Sequence, residues 1–196
     1  MSLPSEQQRI SSAPLIRWWV VVAVVLVLVW SVWRFSSSTS ASPAVIQVGA
    51  SAPKLAWLRE LLTDVSVKAV LLSLINTQAD PSSGTSDASR AQLVSLKSAA
   101  TQYTSKGLRV VLIDSSQIET GRSSSLAAAQ NFALDWQLES VIFRVDPFEQ
   151  SAARAFGVVE LPTVFLIDKS GVVLERWSGR VPPSTLALAV QKTLRD

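Results

Sequence analysis

Phe156-Gly157-Val158-Val159-Glu160-Leu161-Pro162-Thr163-Val164-Phe165-Leu166-Ile167-Asp168-Lys169-Ser170-Gly171 is the stretch that decides the fold. Phe156-Gly157 reads as a helix end and Leu161-Pro162 as a turn closed by proline. Thr163 to Ile167 is an apolar strand. Asp168-Lys169-Ser170-Gly171 is a hairpin signal that returns the chain as a second strand, Val172 to Trp177. The last helix follows over about Ser184 to Leu194, with Leu186, Val190 and Leu194 spaced by four.

The same pattern extends upstream. Lys68 to Ile75 is a continuous apolar run of strand length, as expected of a strand covered on both faces. Asn76 to Ser86 is polar, contains Pro81 and Gly84, and reads as a loop. Leu93, Leu96, Ala100 and Tyr103 recur at helical steps until Gly107 stops them. Leu108 to Ile113 is the next strand, ended by Asp114. Ser123 to Trp136 reads as a helix with Leu126, Ala129, Phe132 and Trp136 on one face. Val141 to Val145 gives a third strand, and Pro147 to Phe156 a short helix. Strand and helix alternate before a closing hairpin and helix, which predicts an α/β fold: a mixed central sheet with helices on both faces.

Absences narrow the chemistry. The chain has no histidine and no cysteine, and its one methionine is Met1. A Ser-His-Asp triad, a histidine base, thiolate or histidine metal sites and covalent haem are excluded, so no metal and no cofactor is expected. A net charge of +3 with no basic run interleaved with aromatics argues against nucleic acid. Asp114 and Asp168 both follow apolar strands, where sites often gather in α/β sheets. Each also reads as a turn residue that ends its strand.

The front of the chain is different. After a short tail, residues 1–14, Leu15 to Phe35 is apolar with no charge between Arg17 and Arg34. About 20 residues at 1.5 Å rise span roughly 30 Å, a bilayer core, and lipid forces such a span to be helical. Trp18 and Trp19 at one end, and Trp30 and Trp33 at the other, sit where an aromatic belt belongs, with Arg17 and Arg34 free to snorkel outward. A cleavable signal peptide is the competing reading, but this apolar region is long and Trp30 to Phe35 is a poor cleavage neighbourhood. Arg9 and Arg17 precede the span, whereas nothing basic follows Arg34 until Lys54. That bias predicts a single-pass signal anchor with a cytoplasmic N-terminus and an extracytoplasmic domain. The compartment would be the bacterial periplasm, the outer face of a plasma membrane, or a thylakoid lumen. Residues 36–47 begin Ser-Ser-Ser-Thr-Ser-Ala-Ser and read as a flexible tether to a domain over residues 48–196.

Order and joints together resemble the TlpA/ResA-type branch of the thioredoxin superfamily, which overlaps with the redoxin or alkyl-hydroperoxide-reductase group. Val48-Gly49-Ala50-Ser51-Ala52-Pro53 is similar to its opening motif, and Val70 to Ile75 to the strand before its active site. Ser105-Lys106-Gly107-Leu108-Arg109 resembles its helix-to-strand joint, and Val145-Asp146-Pro147 with Phe156-Gly157-Val158 its inserted strand-helix unit. Leu161-Pro162-Thr163 is similar to its cis-proline turn. The resemblance implies a thioredoxin-like fold, a cis Leu161–Pro162 bond, and a position at Leu161, Pro162 and Thr163 where an extended peptide could dock.

The resemblance fails where the family keeps Cys-x-x-Cys. Counting back from Tyr103 and Gly107 puts that motif at Ser86-Asp87-Ala88-Ser89. Counting forward from the first strand puts it at Ala79-Asp80-Pro81-Ser82. Neither carries sulfur, and thiol-disulfide exchange needs a thiolate. Ser86, with no base to activate it, reads as a helix N-cap. The expected function is a redox-inactive, membrane-anchored module that docks a protein partner. It would serve as an accessory or assembly subunit of an extracytoplasmic or membrane complex. Two alternatives stand beside it. One is a thiol-disulfide or peroxide oxidoreductase of cytochrome c maturation or envelope redox, working with a partner's thiols. The other is a peptide-binding chaperone. The loop Asn76 to Ser86 and the surface around Leu161 are the candidate contact.

Overall fold

A computed structural model describes residues 45–78, 84–122, 124–146 and 151–195. The expected membrane span and its flanking Arg17, Trp18, Trp19, Trp30, Trp33 and Arg34 lie outside the described residues, as does most of the tether. Among the described residues no helix is long and apolar enough to cross a membrane.

The described residues from 45 to 195 form one compact unit. Its elements are α1 (Ala56–Thr63), β1 (Ala69–Ile75), α2 (Gly84–Tyr103), a 3₁₀ turn (Thr104–Lys106), β2 (Leu108–Asp114) and α3 (Gln117–Thr120). Then come α4 (Leu126–Asp135), β3 (Ile142–Val145), α5 (Ser151–Ala155), β4 (Thr163–Asp168), β5 (Val173–Ser178) and α6 (Pro183–Arg195). The sheet runs β3-β2-β1-β4-β5. β1, β2 and β3 are parallel, while β4 lies antiparallel to β1 and β5 to β4.

The expected mixed sheet is present, and its burial pattern explains the sequence. All seven residues of β1 are buried. Alternate residues feed two cores. Leu71, with Val110, Leu112, Val164 and Leu166, packs against Leu93 and Leu96 of α2 and Leu186 and Val190 of α6. Val70, Leu72 and Leu74, with Val111, Ile113, Phe165 and Ile167, pack against Leu58 of α1, Ala153 of α5 and Phe156. Phe156 and Phe165 meet with ring centroids 4.8 Å apart on this second face. A strand buried on both faces has no polar alternation to show, hence an apolar run broken only by the buried Ser73.

Three expectations shift. The polar loop after β1 is shorter than read, because Gly84 already begins α2 and Ser86 is that helix's third residue rather than its N-cap. The helix read over Ser123 to Trp136 is α4, begun at Leu126 by a real cap: the Ser125 hydroxyl accepts the Ala128 N–H. Leu126 belongs to no core face and is 70 % exposed, while Ala129 is buried and Phe132 and Trp136 are partly so. Two elements are additional. α1 carries Leu58 into the second core, and α3 follows β2 directly.

Gly107 joins the 3₁₀ turn to β2 at φ +100°, a left-handed conformation open to glycine. A Cβ there would stand 2.9 Å from Lys68 Cγ and 3.0 Å from the Ser66 carbonyl oxygen. We therefore expect Gly107→Ala to cost about 1–3 kcal/mol from backbone strain and this clash. For a domain of this size the loss is a fall of roughly 3–10 °C in Tm by thermal denaturation. An unchanged Tm would show that the joint is not constrained.

Candidate functional site

The parallel strands set where a site can form. β1, β2 and β3 end together, since Ile75 pairs with Asp114 and Asp114 with Val145. β4 begins at this same edge, with Thr163 opposite Leu74. The loop after β1 and the turn at Leu161–Pro162 therefore adjoin. Loops outside the carboxyl ends of parallel strands are the usual place for ligands in such sheets.

Side chains from three loops tie this edge together. The Thr77 N–H donates to Ser116 Oγ at 2.9 Å and, more weakly, to Asp114 Oδ1 at 3.4 Å. The Gln78 N–H donates to Asn76 Oδ1 at 2.9 Å and to Ser116 Oγ at 3.3 Å. Ser116 Oγ donates in turn to Asp114 Oδ1. Asn76 Nδ2 reaches Glu119 Oε2 at 2.5 Å, and Gln78 Nε2 reaches Ser124 Oγ at 2.6 Å. Beside them the buried Asp146 accepts the N–H groups of Ala152 and Ala153 at 3.0 and 2.9 Å, holding the start of α5.

These bonds decide the chemistry. A serine hydroxyl has one proton and two lone pairs. Ser116 gives its proton to Asp114 and receives both loop N–H groups, and it is 1 % exposed. It is a strut, with no lone pair left for attack. Asp114 is 2 % exposed and spends Oδ1 on its own turn. Asp168 likewise accepts from Ser170 Oγ and the Val172 N–H within the β4–β5 hairpin. The two carboxylates also stand at opposite ends of the sheet. Ala69 pairs with Asp168 and Ile75 with Asp114, so β1 separates their backbones by about 20 Å at ~3.3 Å per residue. They form no acid–base pair.

The sequence-derived positions fall as follows. Ser89 is 2 % exposed, and its Oγ accepts the Asn76 N–H at 3.5 Å, so it belongs to the same edge as a buried support. Ser86 lies in the first turn of α2. Ala79 and Ser82 lie outside the described residues. The Leu161–Pro162 peptide bond is cis. Leu161, Pro162 and Thr163 are all buried, and the Pro162 carbonyl is taken by the Gly179 N–H at 2.8 Å. The turn is thus no open groove. Its exposed neighbours are Val159, 68 % accessible, and Glu160. Sequence reasoning did not single out Asn76, Ser116, Glu119 or Ser124. Among the described residues no group of histidine, cysteine or carboxylate side chains could hold a metal ion.

No protein-family model and no curated protein matches the chain. Solved structures do. A putative thiol:disulfide interchange protein DsbE from Chlorobium tepidum aligns with a TM-score of 0.58 at 23% identity, over 76% of this chain and 99% of its own. The fold is thioredoxin-like. A hypothetical protein from Sinorhizobium meliloti gives 0.59 at 20% identity, over 76% and 85% of the two chains. A putative thioredoxin from Neisseria meningitidis gives 0.52 at 19%, over 66% and 76%. This chain has no cysteine.

Removing the strut should loosen only this edge. Ser116→Ala removes the nearer acceptor of the Thr77 N–H and leaves only Asp114 Oδ1 at 3.4 Å, and we expect a stability loss of about 1–3 kcal/mol. Amide exchange measured by NMR should accelerate roughly tenfold or more at Thr77 and Gln78 while β1 and β4 amides follow the global change alone. Equal acceleration throughout the sheet would mean the network is not a local lock.

Proposed function

We propose that the chain is a redox-inactive, membrane-anchored thioredoxin-like module that docks a protein partner as an accessory subunit of an extracytoplasmic or membrane complex. The observation that carries this reading is the hydrogen-bond network at the edge where the parallel strands end, in which Ser116 Oγ and Asp114 Oδ1 are engaged while Asp114 Oδ2 is buried without a partner. Where a thiolate chemistry would stand, hydroxyl and carboxylate oxygens are spent on fixing the loop that follows β1. Asn76, Thr77 and Gln78, held in this way at the end of a buried sheet, suit binding.

The anchored reading draws on the apolar span of residues 15–35 and lipid contact through it. The docking face we assign comprises Val159 and Glu160 with Gln78, all exposed beside the locked loop. It replaces Leu161 itself, which is buried. An exposed apolar Val159 next to fixed polar groups is a small patch of the kind that partners cover.

Two measurements test this. The full-length protein should show no insulin-reducing, disulfide-reductase or peroxidase turnover above a buffer blank, because no sulfur nucleophile is present. Turnover in mass-verified protein would overturn redox inactivity. A photo-crosslinking residue at Val159 should capture one partner in native membranes, whereas one at Leu188, 68 % exposed on α6, should not. Capture at Leu188 alone would move the contact to the outer helix face.

A further inference from the structure

The opposite end of the sheet, where β1 and β2 begin and the β4–β5 hairpin turns, has a different character. Three concavities of about 570, 580 and 690 Å³ adjoin there. The first is lined by Val65, Lys68, Lys169 and Leu174, the second by Lys68, Tyr103, Lys106 and Arg195. The third is lined by Lys54, Arg59 and Lys169. Shared Lys68 and Lys169 make them one continuous basic surface.

It is only partly neutralised among the described residues: Asp64 interacts with Lys169 and Arg109, and Lys169 Nζ donates to the Asp64 carbonyl. Among the described residues, Lys54, Arg59, Lys68, Lys106 and Arg195 form no ion pair. Lys68 Nζ donates instead to the Leu194 carbonyl and Lys106 lies over the Tyr103 ring. The carboxylates at this end are Glu60, Asp64 and Asp168, and Asp168 is occupied within its own turn. Six cations outnumber them, even with Asp196, the next residue after Arg195, added to the count. The C-terminus of α6 adds only about half a negative charge.

Val65 stands in the middle of this surface and is 95 % exposed. Its turn is fixed: the Ser66 N–H donates to Asp64 Oδ1 at 2.8 Å, the Val67 N–H donates to the Asp64 carbonyl at 3.1 Å, and Val67 is buried beneath. An apolar tip flanked by Lys68 and Lys169, with Asp64 and Asp168 alongside, has no role in the domain's own packing. The chain also enters the domain here. Ser51 bridges Val172, and the Ala52 N–H donates to the Gly171 carbonyl at 2.7 Å. The expected tether, residues 36–47, would lead from here back to the apolar span.

We propose that this pole docks on an anionic phospholipid bilayer, with Val65 entering the headgroup layer between Lys68 and Lys169. The geometry rests on the anchored reading above. Dispersed cations around a projecting apolar residue fit a flat anionic surface better than one small anion, which would need donors converging on a point. The arrangement turns the Val159 face away from the membrane, towards a partner's soluble domain.

The absence of cysteine permits a clean test. Full-length chain carrying Val65→Cys, labelled with an environment-sensitive fluorophore, is reconstituted into bilayers of neutral phosphatidylcholine or of the same lipid with phosphatidylglycerol. Gln78→Cys is the control at the other pole. We expect a blue shift at position 65 in anionic bilayers alone and none at position 78. The shift should vanish at 1 M salt, where screening acts within about 3 Å. With Lys68→Gln, Lys106→Gln and Lys169→Gln together, the docked-to-free ratio should fall about a hundredfold, at roughly fivefold per cation. The salt arm carries the test if that variant misfolds.

No lipid dependence at position 65 would overturn the proposal. So would loss of the shift in 10 mM inorganic phosphate at constant ionic strength, which would indicate a small-anion site. A blue shift with polyglutamate but not with anionic lipid would indicate an acidic protein partner instead. Alkaline carbonate separates the two claims: release of the chain from neutral bilayers refutes the anchor, whereas an anionic-only shift at position 65 still supports the pole.

Discussion

The parallel pairing of β1 with β2, reinforced by β4 on the other edge of β1, is the constraint on which this structure depends. β1 is hydrogen-bonded along both edges and buried on both faces. Its side chains alternate between two cores, so a register shift of one residue would exchange Leu71 with Leu72 and spoil both at once. The register also fixes the ends. It brings Ile75, Asp114 and Thr163 to one edge and Lys68, Leu108 and Asp168 to the other. One edge became a hydrogen-bonded lock and the other a basic surface.

The lock is built from hydroxyl, amide and carboxylate groups and contains no sulfur. A thiolate at a helix N-terminus must be accessible and electron-rich. Ser116 and Ser89 are neither: both are buried, and each oxygen serves a backbone N–H. Their effect is to hold Asn76, Thr77 and Gln78 in place.

Much of the fold was legible in the sequence, because strands buried on both faces declare themselves. Val70 to Ile75 is apolar but for Ser73, Val164 to Ile167 is apolar throughout, and the Asp168-Lys169-Ser170-Gly171 turn leaves one way for the chain to return. α1 was not read, since its eight residues are too few to establish a period and only Leu58 is fully buried. Leu126 matched the helical period by chance, at a helix start that projects into solvent. The lock was invisible for a different reason. Serine, threonine and asparagine after a strand look like any turn, and their meaning lies in long-range pairing between the loops that follow β1 and β2. The basic pole was hidden likewise, since Lys54, Lys68, Lys106, Lys169 and Arg195 are scattered along the chain and meet only in the fold.

The central claim is that this thioredoxin-like domain works by docking rather than by turnover. Its most direct test is quantitative affinity purification of the full-length protein from native membranes in mild detergent, with stoichiometry by mass spectrometry. The account predicts one defined partner or complex at a fixed ratio, retained through gel filtration. Recovery of the chain alone, or with a broad spread of unfolded clients at sub-stoichiometric amounts, would contradict it.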